Sequence, residues 1–133
     1  MLLSRTRPSV AQALVEFALV LPLLIGLSLG ILQLVLYAHA WDVVTSAAQE
    51  AARLAAEDGR DVVEGDVRAR ALIAAGLGNS VGPLRIDATS DPELVSLRIN
   101  TNLRPIVPLP VAAGLPLQAQ AWVARERFRP GGG

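Results

Sequence analysis

The chain passes through three hydrophobic rhythms, and each predicts a different element. Residues 17–41, FALVLPLLIGLSLGILQLVLYAHAW, hold 25 positions without a formal charge and no polar face. At about 1.5 Å rise per residue a helix of that length reaches roughly 37 Å, enough to cross a hydrocarbon layer about 30 Å thick. From Asp42 the rhythm becomes that of an amphipathic helix. In DVVTSAAQEAARLAAE, Val44, Ala47, Ala48, Ala51, Leu54 and Ala55 share one face, with Asp42, Ser46, Gln49 and Arg53 on another. The membrane helix is therefore expected to continue beyond the bilayer, with a Glu50–Arg53 pair on its surface and Gly59 as its stop. A second, shorter helix is expected over VRARALIAAGL, N-capped by Asp66 and ended by Gly76 and Gly78.

After Gly82-Pro83 the period drops to two. Leu84, Ile86 and Ala88 alternate, then Val95, Leu97, Ile99, Thr101 and Leu103, then Leu117, Ala119, Ala121 and Val123. Three strands follow two helices, so the fold class is α+β: a small three-stranded antiparallel sheet with one face against the helix. Asp91-Pro92 supplies the first connection. PIVPLPVAAGLP reads as a longer, partly polyproline-like crossover, and RPGGG as a disordered tail.

A soluble helix as apolar all round as residues 17–41 would need a much larger protein to bury it. Ala38-His39-Ala40 has the form of a signal-peptidase site, yet the preceding apolar run far exceeds the roughly 7 to 15 residues of a secretory signal core. Arg5 and Arg7 precede the run, whereas Asp42, Glu50, Glu57 and Asp58 follow it. By the positive-inside rule the N-terminus is cytoplasmic, which places Tyr37, His39 and Trp41 at the far interface. Glu16 stands at the near boundary, where a carboxylate without a partner is costly. Pro22 removes a backbone donor a turn and a half later and weakens the helix there. Ala18, Pro22, Gly26 and Gly30 form a ridge of small side chains along which another helix can approach closely.

Charge and chemistry narrow the function classes. Basic and acidic residues balance at 12 each, and every basic residue is arginine, spread from Arg5 to Arg129 without a cluster. Such a chain lacks the concentrated positive charge of a nucleic-acid interface. With one histidine and no cysteine it offers neither a disulfide framework nor a metal-ligand spacing, and its carboxylates outside the membrane lie in helix flanks and turns. Gly76, Gly78 and Gly82 follow a helix and lack the lysine of a phosphate loop, so they read as turns. No enzyme, cofactor or small-molecule substrate is expected.

Residues 12–24, QALVEFALVLPLL, closely resemble the N-terminal signature of TadE-like proteins, pilins and pseudopilins of the bacterial tight-adherence pilus system. The likeness rests on the Gln-Ala-Leu-Val-Glu-Phe start, the following apolar run and the early proline. It implies a basic leader cut on the cytoplasmic face by a prepilin peptidase, with glutamate fifth in the mature chain. Counting back from Glu16 puts the cut between Ala11 and Gln12, although Ala11 stands where the family pattern has glycine. The resemblance further implies that Glu16 and the adjoining Phe17 act in assembly, the carboxylate pairing with a neighbour's new ammonium, and that Pro22 marks where the helix loosens on leaving the bilayer.

The expected plan is a cytoplasmic leader (1–11), a transmembrane helix (12–41), an extracytoplasmic α+β domain (42–130) and a tail (131–133). The expected partners are membrane lipid, other pilin or pseudopilin subunits and the assembly machinery. A membrane-anchored adaptor that never enters a filament is the alternative.

Overall fold

The computed structural model describes residues 9–57, 59–107 and 114–125. A single helix, α1, runs from Val10 to Ala56, and the second, α2, from Val62 to Leu77. A 3-10 turn at Gly78–Ser80 leads into strands β1 (Arg85–Ser90), β2 (Leu94–Leu103) and β3 (Leu115–Ala124). The strands form one antiparallel sheet in the order β1-β2-β3.

The membrane-type segment and the amphipathic segment are thus one continuous helix, and Pro22 lies within it without ending it. Its C-terminal half buries Ala40, Val44, Ala47, Ala48, Ala51, Ala52, Ala55 and Ala56. Seven of these eight side chains are single methyl groups, so neighbouring elements approach the helix axis closely. β2 and β3 lay Leu97, Ile99, Leu103, Leu117, Ala119 and Ala121 on the stripe, and α2 adds Ala69, Ile73 and Leu77. The alternation in β2 is strict, with Val95, Leu97, Ile99, Thr101 and Leu103 all buried. Each fully buried aliphatic residue here contributes about 1.5–3 kcal/mol of transfer free energy.

Three sequence expectations are corrected. Helix α2 starts a turn earlier than expected, capped by Asp61, whose carboxylate accepts from the Val62 N–H at 2.6 Å. Asp66 lies inside the helix and holds Arg70 one turn on at 2.9 Å. The early start includes Gly65, a poor helix former that is buried where α2 crosses α1: a Cβ there would lie 2.8 Å from the Ala51 carbonyl oxygen. Glu50 does not pair with Arg53. It accepts from Arg68 Nε of α2 at 2.9 Å, with Nη2 also on the same oxygen, and so ties the two helices together. Finally, β2 and β3 are antiparallel neighbours with Leu103 opposite Leu115. Their connection closes a long hairpin and is not a crossover. Gly114 enters β3 at φ +76°, where an added Cβ would strike the Leu103 carbonyl oxygen at 2.8 Å. Arg5, Arg7 and the RPGGG ending lie outside the described residues.

Candidate functional site: the exposed half of the long helix

Every one of the first 23 residues of α1, 10–32, is exposed. This half presents Leu14, Phe17, Leu19, Leu23, Leu27 and Ile31 to its surroundings, together with many other large apolar side chains. At about 1.5 Å per residue it is roughly 34 Å long. Such a length of bare hydrocarbon is compatible with water only if lipid or other helices cover it. Ser28, a hydroxyl in its middle, satisfies itself by donating to the Leu24 carbonyl at 2.8 Å.

The residues singled out by sequence all lie on this half. Ser9 caps the helix: its hydroxyl accepts from the Gln12 N–H at 3.4 Å and its carbonyl from the same N–H at 2.8 Å. Ala11 and Gln12 therefore occupy the first turn. Glu16 follows one turn after Gln12, exposed and without an ion pair among the described residues. Phe17 is exposed beside it. Ala18, Pro22, Gly26 and Gly30 recur every four residues, and a Cβ built on Gly26 or Gly30 would meet nothing within 4 Å. Among the described residues the ridge is open at both glycines.

A family model described as TadE-like protein matches residues 11–53. Over those residues the long helix is similar to that of TadE-like proteins. The match spans both the exposed half and most of the alanine stripe, and so extends well past the 13 residues that carry the resemblance in sequence. With the bare apolar span, the match supports a single-pass membrane protein related to the tight-adherence pilus. No curated protein and no solved structure matches the chain.

The long helix carries two features that sequence reasoning missed. Gln33 is the only amide in the uncharged run, and its Oε1 accepts from the Ile106 N–H at 2.8 Å. Tyr37, expected only as an interfacial ring, donates its hydroxyl to the Pro116 carbonyl at 2.9 Å and packs against the core. Both bind the helix to the end of the sheet where β2 stops and β3 begins. An isolated amide amid 25 uncharged residues was the available signal for the first, because such a group needs a partner at that depth. On the remote side of the head, hydrogen bonding to Glu64 raises the Arg60 pKa and hydrogen bonding to Asp66 raises that of Arg70. Both are surface pairs.

Proposed function

We propose that the protein is a minor pilin or pseudopilin that acts in assembly of a tight-adherence pilus, seated in the cytoplasmic membrane with its N-terminus inside and its α+β head outside. The observation that carries this reading is Glu16: a carboxylate on the bare apolar half of a TadE-like helix, with no partner among the described residues.

A prepilin peptidase acting between Ala11 and Gln12 would remove the Ser9 cap and leave an ammonium group on Gln12. That charge sits at the positive end of the helix dipole, where a cation is disfavoured. A neighbouring subunit's Glu16 relieves both groups at once, since the pair offsets the burial cost of each in a low-dielectric layer. Gln12 and Glu16 are one helical turn apart. Pairing across subunits therefore sets neighbouring helices about 6 Å apart along the axis. The Ala18–Pro22–Gly26–Gly30 ridge supplies the close approach such a stack needs.

Ala11 favours a second reading, in which the leader stays and the protein is a single-pass adaptor of the same machinery. The two are separated by replacing the chromosomal copy with Glu16→Ala or Glu16→Gln. The pilin reading expects loss of pili with normal amounts of protein in the membrane fraction. Wild-type piliation in both variants would leave the adaptor.

A further inference from the structure

We propose that the membrane-proximal edge of the head lies in the outer leaflet and does not stand above it, with Ile106 among the lipid acyl chains and the Arg104 guanidinium at the lipid phosphates. The inference rests on the reading of α1 as a membrane span, and adds the depth at which the head sits.

The sheet gives the direction. Val95, near the start of β2, packs against Ala55 and Ala56 at the far end of α1, while Ile106, just past the end of β2, hydrogen-bonds Gln33. β2 therefore runs back along α1 toward the membrane, and Ile106 shares the depth of Gln33. Tyr37 and Pro116 fix the start of β3 about one helical turn farther out.

The span gives the depth. Counted from Phe17, the first uncharged residue after Glu16, a hydrocarbon-spanning helix of about 20 residues reaches Leu36. Gln33 lies three residues short of that point, so an untilted helix carries the Ile106 contact about 5 Å inside the hydrocarbon boundary. With Glu16 held at the cytoplasmic boundary, the head cannot clear the bilayer unless the layer thins.

The chemistry of the edge suits that position. Pro105, Ile106, Val107, Leu115 and Pro116 carry no charge, and Ile106 is 56% exposed. The Gln33 carbonyl oxygen and the Ile106 N–H answer one another, as do the Tyr37 hydroxyl and the Pro116 carbonyl. Both acceptors and both donors of these two bonds are thus satisfied within the protein, whereas the buried Gln33 Nε2 has no hydrogen-bond partner among the described residues. Just beyond lies Arg104, whose N–H bonds the Ser80 carbonyl. Its side chain is exposed and makes no hydrogen bond or ion pair among the described residues. The acidic residues Glu57, Asp61, Asp91 and Glu93 lie at the other end of the head, beside the start of β2 or the end of α1. An apolar tip followed by an exposed arginine is the order in which a phospholipid leaflet presents acyl chains and then phosphates.

The chain contains no cysteine, so single spin labels can be placed cleanly. Leu24→Cys, Val63→Cys and Ile106→Cys variants of the full chain are labelled, reconstituted in phosphatidylethanolamine–phosphatidylglycerol vesicles, and compared for collision with oxygen and with a water-soluble nickel chelate. Ile106 is expected to resemble Leu24, with an oxygen-to-nickel ratio severalfold above that of Val63 on the remote face of α2. Pro105→Cys reads the same edge if the Ile106 variant fails to fold. A Val63-like ratio at the edge overturns the inference and leaves the anchor intact. Shielding from both reagents also overturns it, since another protein surface then covers the edge. Water-type access at Leu24 removes the membrane span itself, and the inference with it.

Discussion

The two halves of α1 are one uninterrupted helix built for two different surroundings. Residues 10–32 are leucine-rich and exposed on every side, whereas residues 40–56 bury a stripe that is alanine at every position but Val44. Large side chains on all faces suit a solvent of acyl chains that needs no complementary shape. Small side chains on one face suit a backbone neighbour that must come close, as Gly65 does against Ala51. Total hydrophobicity does not separate the halves; side-chain volume and its distribution around the axis do.

Charge should break the comparison most strongly. Placing arginine at both Leu24 and Leu27 adds about 2.5–3.5 kcal/mol per residue to the cost of insertion. The protein should then shift into the alkali-extractable fraction, while arginine at exposed Gln49 in the other half should leave it membrane-bound. Volume should act in the opposite sense. Ala51→Leu has no room under α2 and should destabilise the head by about 1–3 kcal/mol or more. Ala18→Leu, on the open ridge, should leave the head's thermal unfolding in detergent unchanged. Gly65→Ala tests the same crossing from α2: the clash with the Ala51 carbonyl outweighs a gain of up to about 1 kcal/mol in helix propensity, giving a smaller net loss than Ala51→Leu. Tyr37→Phe removes one hydrogen bond between the halves' junction and the sheet and should cost about 0.5–1.5 kcal/mol in the same unfolding measurement. Glu50→Ala is the mildest, at most about 1 kcal/mol, because its pair with Arg68 is exposed and screened.

Much of this comparison was legible in the residue pattern. The period-two stretches located all three strands, because burial on one face of a sheet imposes that alternation directly. The alanine stripe likewise located the buried face of α1. What escaped was set by partners distant in sequence. Asp66 has the makings of a cap, but Asp61 takes the position because Gly65 is needed inside the helix at the crossing. Glu50 has an arginine three residues away and binds Arg68 instead, since α2 delivers that guanidinium to the same face. Tyr37 reads as an interfacial ring until the start of β3 supplies its acceptor. The candidate assembly residues contrast with these. Their positions on a bare helix follow from sequence alone, but their role depends on a second subunit, which no intrachain packing reveals.

The claim that the exposed half works through Glu16 and a newly made amino terminus is tested most directly by the intact mass of the protein purified from native membranes. The account predicts a chain lacking residues 1–11 and beginning at Gln12. A mature protein that still begins at Met1 would contradict it, for then no ammonium group exists for Glu16 to meet, and the helix is an anchor alone.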